Sequence, residues 1–252
     1  MAQRSTLTSS IDQRPLTALD TQSLGLIRRY YDEVYHAGST PFAAIAKHCR
    51  RLAKRFAPWD GRRVLDVACG TGMWMRATAE LGAVPSGVDI SKAALDICRN
   101  ALPSAELSCG PAEILPFPDG QFDFVSCLGA LEHFLDPERA LFEMIRVSRP
   151  DAQFLLLVPN ADFPPLRLGL YGGTEQSSVR EEIRSLNNWR ELFESVGLTV
   201  LRRWRDLHVL SVAWVTLGPW YSWPARLALA LMLPVWPLCW QYQVYYHCSL
   251  RK

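Results

Sequence analysis

The sequence predicts an α/β fold: a mostly parallel sheet with helices on both faces. Three observations carry that prediction. The chain has 252 residues, 49% hydrophobic and 21% charged, enough to bury one sizeable core. From Arg63 to about Asn160, short apolar runs alternate with helical segments at the spacing of βαβ units. One run, Phe154-Leu155-Leu156-Leu157-Val158, is apolar throughout, as a strand covered on both sides must be. The composition and the lack of a fixed repeat exclude a solenoid, a fibre and a disordered polymer. A net charge of +2 gives no bulk electrostatic case for nucleic acid. Seven cysteines without a CxxC pair suit free thiols in a reducing cytosol better than a disulfide framework or a zinc site. His36, His48, His208 and His247 show no metal spacing, so no metal is expected.

In chain order, residues 1–20 read as a loose polar arm, without the apolar stretch of an export signal or an N-myristoylation pattern. Residues 21–61 read as helices. Tyr30 to Tyr35 form a short amphipathic turn set. Ala44 to Phe56 sets Lys47, Arg50, Arg51, Lys54 and Arg55 against Ile45, Leu52 and Phe56; a solvated basic face is the favoured reading, an anionic contact the minority one. The 62–160 core follows. Val64–Ala68 is a strand, Gly72–Leu81 a helix and Val84–Ile90 a strand; Ser91 caps a helix running to Asn100. Glu106–Cys109 and Phe122–Cys127 are further strands, and Asp136-Pro137-Glu138 opens a helix with proline in its first turn. In the 161–252 part, a Pro- and Gly-rich loop from Asp162 to Gln176 precedes a helix over Asn188–Val196, which Gly197 stops. Leu198–Trp204 and Gln241–Tyr246 alternate as strands.

The strongest chemical signal is Asp66-Val67-Ala68-Cys69-Gly70-Thr71-Gly72 at a strand-to-helix turn. Glycines there let backbone approach a ligand, and the following helix presents free N–H groups. Asp89 ends the next strand, where a carboxylate can accept both hydroxyls of a ribose. Met75 stands where a dinucleotide fingerprint needs its third glycine. Asp66, inside the strand, suits a cationic ligand end better than a pyrophosphate.

Val64 to Gly72 resembles the first motif of class I S-adenosylmethionine-dependent methyltransferases. Gly87-Val88-Asp89-Ile90-Ser91, Ala112 to Phe117, Phe122 to Val125, Leu131 to Pro137 and Glu143 to Pro150 follow in the family's order. The set covers about 100 residues and is similar to the type 11 branch, which includes quinone-ring C-methyltransferases and polysaccharide-cluster enzymes. The resemblance implies a Rossmann-like three-layer fold with a seven-stranded sheet. Its final strand, Gln241–Ser249, would run antiparallel beside the fifth. It implies S-adenosylmethionine as cofactor, with Asp66, Ala68, Gly70 and Gly72 on the methionine and ribose side, Asp89 on the ribose hydroxyls and Ile90 against adenine. Ala112 would offer a backbone N–H to the adenine edge, with Glu113 beside it; Cys127 and Leu128 would floor the site near the methyl group. Tyr30, Tyr31 and Tyr35 would act as lid residues. Three positions depart from the family pattern. Pro111 replaces a frequent Asp, Ala68 a frequent Gly, and Pro150-Asp151-Ala152 the usual Pro-Gly-Gly turn; the first removes about 1 kcal/mol if one hydrogen bond is lost.

Simpler readings stand beside several of these. Asp89 alone is a helix cap, Glu113 an ordinary exposed carboxylate, and Cys127 packing. His133 is either a general base or a hydrogen-bonded residue at a helix start. Residues 207–240 hold no acid and one base, Arg226, and six of the nine tryptophans fall between Trp204 and Trp240. Leu227–Trp240 is too short to span a bilayer and is broken by Pro234 and Pro237. It is a cap or dimer surface, or an interfacial hairpin meeting anionic headgroups with Arg226, Arg251 and Lys252. The favoured function is methyl transfer to O, N or C of an apolar, lipid-linked, natural-product or glycan acceptor, in the cytoplasm or at the inner membrane surface. An NAD(P)-dependent oxidoreductase and a non-catalytic partner are the alternatives.

Overall fold

The computed structural model describes residues 18–38, 45–169, 181–207, 216 and 219–251. The expected arm up to residue 17, half of the Pro- and Gly-rich loop and most of residues 208–218, His208 included, lie outside the described residues.

Seven strands form one sheet: β1 (Arg63–Val67), β2 (Val84–Asp89), β3 (Glu106–Cys109), β4 (Phe122–Leu128), β5 (Ser148–Pro159), β6 (Leu198–Arg205) and β7 (Gln243–Leu250). Their order is β3-β2-β1-β4-β5-β7-β6. The first five pair in parallel, while β7 runs antiparallel to both β5 and β6. The antiparallel last strand therefore stands beside the fifth, as expected. After β3 the chain crosses back to β4, so β1 and β4 flank the point where strand order reverses, which in open α/β sheets is where ligands sit.

Eight helices are described: α1 (Ala18–Tyr30), α2 (Lys47–Arg55), α3 (Met73–Ala79), α4 (Lys92–Ala101), α5 (Pro137–Val147), α6 (Pro164–Arg167), α7 (Leu186–Ser195) and α8 (Trp223–Met232). A π-helical turn, Tyr31–Tyr35, continues α1, and a 3-10 turn, Leu131–His133, follows β4. Residues 18–20, read from the sequence as part of a loose arm, are the first turn of α1. Ser91 caps α4 by accepting from Ala94 N–H (3.1 Å), and Asp136 caps α5 by accepting from Arg139 N–H (2.9 Å). Gly197 ends α7 at φ +96°, a conformation costly for any residue with a Cβ.

The alternation of strand side chains divides the core in two. Leu65, Val67, Val125, Phe154, Leu156 and Val158 pack with α5 and α7. Val64, Phe124, Leu155, Leu157 and Tyr245 pack with α2 and α3 around Trp59 and Trp74. The apolar run of β5 thus feeds both layers. β5 starts six residues earlier than its apolar run. Its register shifts between Phe122 and Phe124, so residues 149–151 bulge outward, exposed, before the ladder resumes at Gln153. That is where Pro150-Asp151-Ala152 departs from the expected turn.

Candidate active site

The carboxyl ends of β1, β2 and β4 open into a cavity of about 770 Å³, within the range of small-molecule sites. Asp66 and Asp89 both line it. Asp66 is the penultimate residue of β1, paired with Gly87 on one side and Ser126 on the other. It is 3% exposed and accepts from Ser126 Oγ at 2.7 Å. Burial pushes its carboxyl up to about 7, with the nearby Asp89 charge adding to the rise and the Ser126 bond opposing it. Asp89 accepts from Gly70 N–H (2.7 Å) and Ser91 N–H (2.8 Å), so one carboxylate ties the glycine loop to the start of α4. Burial raises its pKa against the pull of those two bonds. A carboxylate offers about four acceptor sites, so acceptor capacity remains for a ligand.

The loop between β1 and α3 is shaped for close approach. Ala68 holds φ +60°, the left-handed region that favours glycine, at a cost of about 1–2 kcal/mol. This is the position where the family usually carries glycine. Ala68 and Gly70 line the cavity. Gly72 does not; a Cβ there would come 2.4 Å from Cys98 Sγ, so its place in the loop is close packing on α4.

Ile90, Ala112, Glu113 and Leu128 also line the cavity. Glu113, read alone as an exposed carboxylate, is 3% exposed and accepts from Leu135 N–H (2.9 Å) and Asp136 N–H (3.3 Å). It therefore anchors the approach to α5. Cys127 is fully buried in the α5/α7 layer and lies behind the cavity wall. Tyr31 and Tyr35 line the cavity; Tyr30 stands behind them, its ring edge-on to Tyr31 at 5.5 Å. Burial raises the Tyr31 phenol well above its ordinary range. His133 lines the cavity at 6% exposure.

Several residues here escaped the sequence reading. Leu157, Tyr245, Trp74 and Leu52 give the cavity an apolar wall, and His36 and His48 reach it from the N-terminal part. Asp32 joins the lid to the core by accepting from Ser91 Oγ (2.7 Å) and Ala93 N–H (3.0 Å). Glu132 is 2% exposed, with its carboxyl pushed up to about 8, mainly by burial. No local sequence pattern distinguishes these residues, because several separate elements bring them together in or beside the cavity.

The cavity fits S-adenosylmethionine. Two buried acids, Asp66 and Asp89, line it as groups able to accept from an ammonium or a hydroxyl, and a Cβ at Gly70 or Gly110 would meet no atom within 4 Å, so the loop leaves room. The family model described as methyltransferase domain matches residues 65–156. A ubiquinone biosynthesis O-methyltransferase of Coxiella burnetii is 33% identical over 107 residues, covering 41% of this chain and 46% of the relative. The chain thus spans about half the length of such curated relatives. Among solved structures, an S-adenosylmethionine-dependent methyltransferase from Mesorhizobium loti superposes with a TM-score of 0.59 at 18% identity, covering 82% of this chain and 98% of that one. The [4+2]-cyclase SpnF superposes with a TM-score of 0.63 at 18% identity, covering 91% and 97%. Motif order, sheet topology and these matches agree: residues 65–156 match a methyltransferase domain, on a fold shared with solved S-adenosylmethionine-dependent methyltransferases.

Proposed function

We propose that this chain transfers a methyl group from S-adenosylmethionine to an O, N or C atom of an apolar or lipid-linked acceptor. The observation that carries the reading is the shared cavity of Asp66 and Asp89, about 770 Å³ in volume, at the strand-order reversal. S-adenosylmethionine supplies a sulfonium-activated methyl group, so the protein's task is alignment and exclusion of water. Asp66 holds the ammonium end and Asp89 the ribose hydroxyls. Ile90 and the Ala112 backbone flank the adenine. Tyr31 and Tyr35 cover the cavity, and His133 takes the proton where the acceptor is a hydroxyl.

The apolar wall of Leu157, Tyr245, Trp74 and Leu52 supports an apolar acceptor. So does the C-terminal surface, where Trp220, Tyr221, Leu231 and Val235 are each at least 69% exposed. The quinone pathway in the relative's name belongs to that relative. Fold alone does not fix the reaction, as the cyclase with the same architecture shows.

Calorimetry with S-adenosylhomocysteine tests the cofactor step. Wild type binds, and Asp89→Asn weakens binding about 100-fold, as expected for loss of charge-assisted bonds worth about 3 kcal/mol together. No binding of S-adenosylhomocysteine at millimolar concentration ends the proposal.

A further inference from the structure

Glu132 and His133 sit on the turn after β4, and Glu181 precedes α7. Nearly fifty residues separate them in sequence, yet one ligand-capable atom of each lies within 4.8 Å of the others. Backbone fixes this approach: Glu182 N–H donates to Glu132 C=O at 2.8 Å. Glu132 is 2% exposed, and its Oε2 has no hydrogen-bond partner. Oε1 of Glu181 is likewise buried without a partner. Among the described residues, the arginine nearest to Glu181 in sequence, Arg184, pairs with Glu182 instead, at 2.8 Å. Two carboxylates and an imidazole thus converge on a buried point, an arrangement that is costly when uncompensated and favourable around a cation.

We propose that Glu132, His133 and Glu181 form a divalent-cation site in the wall of the cavity. Two carboxylate oxygens and one imidazole nitrogen suit Zn²⁺ or Mn²⁺ better than Ca²⁺, which prefers an all-oxygen shell. Metal–ligand bonds of about 2.0–2.2 Å bring donor atoms to about 3.4 Å of one another, so the three side chains close by up to about 1.4 Å. Three protein ligands leave a coordination position open. Of the three, His133 lines the cavity, so an ion held here would border the space an acceptor would occupy. An acceptor hydroxyl bound there would be held in place and made more acidic, losing its proton to solvent, so that with the ion present the metal takes over the role of His133 as base. This role rests on the methyl-transfer reading; the ion site itself does not.

The probe is Mn²⁺, because the chain's free cysteines would compete for Zn²⁺. The full chain, stripped with chelator, is titrated with Mn²⁺ by calorimetry without cofactor, and S-adenosylhomocysteine binding is measured in parallel. Wild type takes up one ion at micromolar concentration. Glu181→Gln, changed at a half-buried position, weakens uptake at least tenfold and leaves S-adenosylhomocysteine binding intact. Absence of Mn²⁺ uptake at 1 mM, or equal uptake by wild type and Glu181→Gln, overturns the site. Loss of S-adenosylhomocysteine binding alone would count against the cofactor reading instead.

Discussion

Asp66 shows how one buried side chain couples the sheet to the ligand. It sits on the middle strand of the parallel half, so burial penalises its charge and raises its carboxyl to about 7. A raised carboxyl pKa gives stability that is fully present below the ordinary value of 3.8 and is lost as pH rises through about 7. Ligand binding runs the other way, because a cationic ammonium prefers the ionised carboxylate. Affinity for S-adenosylhomocysteine should therefore rise from about pH 6 to about pH 8, by up to tenfold per unit. Calorimetry across that range checks it, with Asp66→Asn expected to be flat; a flat wild-type profile would remove Asp66 from the ammonium contact. Asp66 and Asp89 were legible in the sequence because each lies within a residue of the carboxyl end of its strand, beside a recognisable turn. Glu132 and Glu181 were not, because only the folded chain brings them together.

At the scale of elements, the lid is held by a few polar contacts. Arg28 Nε donates to Ile90 C=O at 3.2 Å, and Asp32 accepts twice from the start of α4. No residue of the π-helical turn is fully buried, so these bonds make a large share of what holds its position. Asp32→Ala should free Tyr31–Tyr35, raising their hydrogen exchange severalfold while β1 and β4 remain protected. Loss of two bonds worth about 1 kcal/mol each predicts about tenfold weaker S-adenosylhomocysteine binding if closure accompanies it. Unchanged exchange in the turn would show that other contacts hold it. The other elements were legible wherever period and caps agreed. Ser91, Asp136 and Gly197 mark their helix ends, as their side chains or φ angles require. The β5 bulge was not legible, because its register is decided by the neighbouring strand.

Across the whole molecule, the C-terminal segment is tied to the core by buried amides while its outer side remains apolar. Gln241 Nε2 donates to Leu233 and Trp236 carbonyls (2.7 and 3.1 Å), and Asn160 Nδ2 donates to Cys239 and Gln241 carbonyls (2.7 and 3.0 Å). α8 begins with Pro224 in its first turn and stops before Pro234, where proline geometry dictates. No described helix is long and apolar enough to cross a membrane. The exposed Leu231 (69%) and Val235 (78%) instead suit shallow insertion, each worth about 1.5–3 kcal/mol if fully buried. The full chain should co-float with anionic vesicles, and Leu231→Asp with Val235→Asp should abolish flotation. Wild type left at the bottom of the gradient would end the membrane reading and leave methyl transfer standing.

The sequence by itself determined the strand–helix order, the helix caps, the glycine turn and the two strand-end acids. Periodicity, capping chemistry and glycine geometry act over a few residues and can be read locally. The tertiary structure decided which distant side chains share a space: the apolar cavity wall, the Asp32 staple and the junction of Glu132, His133 and Glu181. Those contacts depend on how strands register and loops return across the sheet, and no local period encodes that.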